Sequence, residues 1–112
     1  MSRARANHHH VYVIELDEAV LKDRKFLSAN PHYKDCLGAI PLYVGMTGLD
    51  PEQRFENHRN GYKSCKYVKK YGLRLIPEMY ESYNPMSYED AVRMEQNLAE
   101  KLRCEGYVVW QK

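Results

Sequence analysis

From Ser87 to Arg103 the residues Tyr88, Ala91, Val92, Leu98, Ala99 and Leu102 gather on one stripe when set at helical intervals of about 100° per residue. A helix of that length with one apolar face needs another layer to cover it, and 112 residues leave room for a single domain with one modest core. Strand-like segments supply the layer. Val11 to Leu16 (VYVIEL) is β-branched and aromatic on both faces, as in an interior strand. Leu42 to Gly45 forms a second short strand, Leu73 to Tyr80 a third and Tyr107 to Trp110 a fourth. Pro77 removes one amide donor and pushes the third strand towards an edge or a bulge.

Between these lie a helix starting at Asp17, a loop over residues 28–41, and a helix marked by Asp50, Pro51 and Gln53 as cap, first position and capping-box partner. Asn60-Gly61 stops that helix, and a lysine- and tyrosine-rich helical stretch covers 63–71. The order β-α-β-α-α-β-α-β predicts an α+β fold, a mixed α/β sandwich whose small central sheet, mostly antiparallel, is flanked by helices. Residues 1–10 read as a basic, histidine-containing arm, and 11–112 as the domain, with 17–41 as an inserted helix and loop. His8, His9 and His10 are expected to be a solvated lead-in to the first strand. Cys36, Cys65 and Cys104 are scattered without a CxxC pair, which fits reduced thiols in a cytoplasmic protein rather than a disulfide framework or zinc site. Neither a signal peptide nor a membrane span is expected.

Charge is unevenly spread. The net charge is only +2, yet Arg59, Lys63, Lys66, Lys69, Lys70 and Arg74 fall between Asn57 and Pro77 with no acid among them. Such a patch suits a phosphate backbone, and equally a plain solvated face.

One residue breaks the pattern of the long helix. Glu95 lies in the middle of the apolar stripe, while every other charged residue there faces away. A carboxylate on a core-facing surface is costly unless it is paired or binds a metal; a buried salt bridge, to Arg54 for example, and a cation ligand at the rim of a cleft both explain it. Arg54 and His58 share a face of the 51–60 helix at i,i+4, on the side of Pro51 and Phe55. Singly they would be a surface cation and a core histidine. With Glu95 and two strand tyrosines they outline a site for an anionic substrate.

The same residues carry a resemblance. Val11-Tyr12-Val13 and Tyr43-Val44-Gly45 stand where GIY-YIG nucleases have their two tripeptides. The run GMTGLDPEQRFENH resembles the family's glycine, threonine, short loop and helix with an R-x-x-x-H pair, here Arg54 and His58. RMEQNLAEKL is similar to the helix bearing the family's metal-binding glutamate, which maps to Glu95. The likeness runs over roughly residues 11 to 110. The tripeptides are further apart here than in compact members, and Gln111 is the one candidate for the asparagine that the family often carries near its C-terminus.

The resemblance implies hydrolysis of DNA phosphodiesters by a metal-dependent endonuclease, structure-selective or weakly sequence-selective, with a single Mg²⁺ or Mn²⁺ on Glu95. Arg54 would grip a phosphate oxygen, Tyr12 (or Tyr43) would be the general base and His58 would hydrogen-bond the tyrosine or the nucleophile. A phenol titrates near 10, so such a base needs its phenolate stabilised by about 4 kcal/mol, which metal, Arg54 and a lysine could supply. Arg59, Lys63, Lys66, Lys69 and Lys70 would contact DNA backbone, in branched or damaged DNA as well, with a homodimer or partner protein choosing the target. The alternatives are a catalytically inactive nucleic-acid-binding module of the same fold, and a protein-interaction domain with an acidic partner.

Overall fold

The computed structural model describes residues 7–31 and 39–111. In chain order the elements are β1 (His10–Leu16), α1 (Arg24–Ser28), β2 (Pro41–Thr47), α2 (Pro51–Arg59), α3 (Lys66–Tyr71), β3 (Gly72–Leu75), α4 (Tyr88–Cys104) and β4 (Val108–Gln111), with short 3-10 turns before α1 and after β3. The strands form one mixed sheet in the order β3-β1-β2-β4. β1 runs antiparallel to both neighbours and β2 parallel to β4, so the fold is a small α+β one with a mostly antiparallel sheet. Among the described residues no helix is long and apolar enough to cross a membrane.

β1 is the interior strand its composition predicts, and Val11 to Ile14 are at most 1% exposed. Its register against β2 pairs Tyr12 with Gly45 and Ile14 with Tyr43, so both phenol rings stand on one face of the sheet. α4 lies against β4, β2 and β1 and buries Ala91, Glu95, Leu98, Ala99 and Leu102. Ser87 caps it by accepting the Asp90 amide at 3.1 Å. Tyr88 departs from the expected stripe: at the first helical position it is 56% exposed, with its ring edge-on to His9.

Other expectations need correction at their ends. The N-terminal arm does not extend to residue 10, because His10 opens β1 and His9 exchanges two backbone hydrogen bonds with Met86. The helix expected from Asp17 is broken in two: Asp17 accepts the Ala19 amide and Asp23 the Phe26 amide, so a second cap starts a second short helix. Asp50 sits at the N-cap of α2 but makes no side-chain cap bond, and Gln53 bonds Asn57 instead of closing a capping box. α3 begins at Lys66 rather than 63. The third strand ends at Leu75, not Tyr80. The Ile76 amide still reaches Val13, but Pro77 has no amide to continue the ladder and opens a 3-10 turn. Of the 28–41 loop, residues 32–38, with Cys36, lie outside the described residues, as do residues 1–6.

Side chains take up strand edges left open. Where β3 has run out alongside β1, the Asn84 amide takes both backbone groups of Val11, at 2.8 and 2.9 Å. On the other border Asn30 does the same for Val109, and Arg103 adds a bond to the Val109 carbonyl. Side-chain amides thus stand in for missing strands.

Candidate active site

The β1–β2 register sets the site. Tyr12 lies across Gly45, and a Cβ there would be 2.6 Å from the Tyr12 hydroxyl oxygen and 2.9 Å from the Tyr43 ring. Only glycine leaves room for the phenol to cross the neighbouring strand. α2 then delivers His58 to the same face. Tyr12 Oη and His58 Nε2 are 2.9 Å apart, and the His58 ring stands edge-on to Tyr43 with centroids 5.6 Å apart.

A second bond fixes the role of His58. Its Nδ1 accepts the Cys65 backbone N–H at 3.1 Å. A neutral imidazole accepting at Nδ1 carries its proton on Nε2 and so donates to the Tyr12 oxygen. His58 is therefore set up to stabilise a Tyr12 phenolate.

Arg54, one turn earlier on α2, is half-buried. Its guanidinium donates from Nη2 to the Lys63 carbonyl at 2.7 Å and from Nη1 to the Tyr62 carbonyl at 3.3 Å. Its charge also acts on Tyr12. Arg54 and His58 together clamp the loop between α2 and α3. Glu95, 7% exposed on α4, acts electrostatically on both Tyr12 and Tyr43. Five candidate residues from four separate elements thus share one neighbourhood.

The acidities differ from expectation. Burial pushes Tyr12 up to about 12; Arg54 and then Tyr43 pull it down, and Glu95 adds a smaller upward push. Tyr43 is raised further, first by burial and then by the charge of Tyr12. The side chains alone do not supply the lowering expected from a metal, Arg54 and a lysine together, because desolvation outweighs the guanidinium. The expected open cleft is also absent from this cluster. Tyr12, Tyr43 and His58 are at most 2% exposed, and Arg54 is the member that reaches the surface. A cavity of about 350 Å³ lies elsewhere, between Glu15, Asp17, Glu18, Ile40 and Leu73, where acids would repel a phosphate.

Gln111 is not brought into the cluster. In the β2–β4 register it pairs with Val44, on the opposite face from Tyr43, and its side chain accepts from Arg103 at 3.2 Å. Gly45, Cys65 and the Tyr62 and Lys63 carbonyls are the supporting groups that sequence reasoning did not assign to the site. Strand pairing could have suggested Gly45; the backbone contacts have no sequence signal.

As to a metal, the described residues contain no group of three or more His, Cys, Asp and Glu side chains suited to hold an ion. Glu95 nevertheless offers hard oxygen donors, and Mg²⁺ is commonly held by one or two carboxylates with substrate phosphate and water completing its shell. The donor chemistry fits on those terms.

Arg59, Lys63, Lys66, Lys69 and Lys70, on α2, α3 and the loop between them, are all exposed. Among the described residues none of them is in an ion pair, whereas Arg74 is tied to Glu15 at 2.9 Å. Four of the five lean on aromatic rings: Arg59 on Phe55, Lys63 on Tyr62, Lys66 on Tyr67 and Lys70 on Tyr71. No protein-family model, curated protein or solved structure matches the chain.

Proposed function

We infer that this chain is a divalent-cation-dependent DNA endonuclease of the GIY-YIG kind, with Tyr12 as general base and Glu95 as the metal ligand. The observation that carries this reading is the Tyr12–His58 hydrogen bond of 2.9 Å, with Arg54, Tyr43 and Glu95 gathered around the same phenol. The Nε2–H donor and the guanidinium both favour a phenolate at Tyr12 against the opposing effect of burial, and the bound cation would add to them.

On this reading Tyr12, rather than Tyr43, takes the proton of the attacking water. Tyr12 first loses its own proton to solvent, His58 Nε2–H donating to the phenolate oxygen and orienting it, and the water's proton then restores the phenol. Arg54 keeps its two carbonyl partners and turns a remaining N–H of its five-donor fork to a phosphate oxygen, a charge-assisted partner. Glu95 would hold Mg²⁺ or Mn²⁺, which when bound neutralises charge on the phosphate and the leaving oxygen. The exposed cations beside Arg54 hold the DNA backbone without reading sequence.

Plasmid nicking with Mg²⁺ or Mn²⁺ tests the reading. Tyr12→Phe keeps the buried ring and removes only the hydroxyl, so cleavage is expected to fall about 10²- to 10⁴-fold, the usual worth of a general base. Glu95→Gln is expected to abolish the metal-dependent part. Cleavage by both variants at the wild-type rate rejects the assignment. The closed, high-pKa state of Tyr12 favours the second reading, a nucleic-acid-binding module without catalysis, and salt-sensitive DNA binding without any nicking would establish it.

A further inference from the structure

We propose that Tyr62 is a stacking platform for an unpaired base, and that the DNA this site takes carries unpaired nucleotides next to the phosphate held at Arg54. That this DNA is a substrate rests on the nuclease reading; the stacking itself does not. Of the tyrosines interleaved with the cations, Tyr67 is 2% exposed and Tyr71 half-buried, whereas Tyr62 is 60% exposed. The fold therefore singles out one ring of the three.

A single exposed aromatic is ordinary on a protein surface. This one is mounted rigidly. Its amide donates to the Asn57 carbonyl at 2.9 Å, and its own carbonyl and that of Lys63 are both held by Arg54. Two residues on, the Cys65 amide is fixed by His58. The loop backbone is thus ordered in advance, which lowers the entropic cost of presenting the ring to a ligand.

The surroundings match a single strand. Lys63 adopts φ of 47°, a left-handed conformation that a lysine enters only at a cost, and its Nζ sits 5.5 Å from the Tyr62 ring centroid. Lys69 Nζ packs over Gly61, 3.1 Å from where a Cβ would be. Ammonium groups on and beside an exposed ring offer phosphate contacts and a base contact together, the combination that binds unpaired strands. In a duplex the bases already stack on each other, so the ring gains little there. Arg54 links the two sites directly, because the guanidinium that acts on Tyr12 also holds the Tyr62 carbonyl.

Fluorescence anisotropy with EDTA present, so that no cleavage occurs, provides the test. The probes are a single-stranded oligothymidine and a fully paired duplex. Tyr62→Ala is expected to weaken binding of the single strand about 5- to 150-fold, to leave the duplex unaffected, and to leave the salt dependence unchanged because no phosphate contact is lost. Tyr62→Trp is expected to retain or strengthen single-strand binding. Equal losses on both probes, no loss on the single strand, or no binding of either probe by the wild type overturns the proposal. Tyr62-dependent binding by a protein that never nicks plasmid would reject the cleavage reading alone and leave the stacking role standing.

Discussion

At the scale of single residues, the site depends on one missing side chain as much as on those present. Tyr12 is 1% exposed and its hydroxyl lies 2.6 Å from where a Cβ on residue 45 would be. Gly45→Ala therefore forces either the ring or the strand to move inside a packed core. The expected cost is about 1–3 kcal/mol of stability, the usual range for overpacking, measured by urea unfolding. Nicking should fall with it, since the Tyr12–His58 bond is the first contact disturbed. Unchanged stability would mean that the sheet relaxes easily at this point. None of this follows from Gly45 alone. It follows from the register that sets Gly45 opposite Tyr12.

At the scale of elements, the loop between α2 and α3 is built from interactions with side chains behind it. The Cys65 amide is held by His58 Nδ1 and the Tyr62 and Lys63 carbonyls by Arg54. Truncating His58 removes the acceptor of the Cys65 amide without touching the loop's sequence. In His58→Ala, amide hydrogen exchange at Cys65 is expected to rise sharply, while the interior of β1 stays protected. Protection at Cys65 equal to the wild type would show that other contacts order the loop. α4 was the most legible element, because its apolar stripe and its Ser87 cap both survive in three dimensions. The third strand was less so. Alternation alone carried it to Tyr80, whereas the proline at 77 ended it after Leu75. The helix expected from Asp17 to the loop at 28 is split because two aspartates, at 17 and 23, each cap a separate short turn.

At the scale of the whole molecule, burial of phenols gives the fold an alkaline limit. Tyr12, Tyr67 and Tyr80 are each pushed up to about 12, chiefly by desolvation, and Tyr43 is raised as well. A tyrosine in the unfolded chain ionises near 10. Above that pH the unfolded state releases protons that the folded state retains, so stability falls as pH rises from about 10 towards 12 and is fully present below 10. Thermal unfolding followed by circular dichroism should show a flat midpoint on the alkaline side up to about pH 9.5 and a steep fall beyond it. In a 295 nm titration these four rings should ionise at higher pH than tyrosine in the unfolded chain. All ten tyrosines ionising together near 10 in folded protein would contradict the packing.

The α+β class, the order of the elements and the candidates Tyr12, Tyr43, Arg54, His58 and Glu95 were readable from periodicity, spacing and the resemblance. These are local properties, carried by residues a few positions apart or by a pattern along one helix. Strand order, the pairing of Tyr12 with Gly45, the exclusion of Gln111 from the cluster and the outward turn of Tyr62 were decided by contacts between distant segments. The direction of the phenol acidities was decided there too, since desolvation depends on how many atoms the rest of the chain packs around a hydroxyl. Side-chain chemistry is written residue by residue; its solvent environment exists only once the chain has closed on itself.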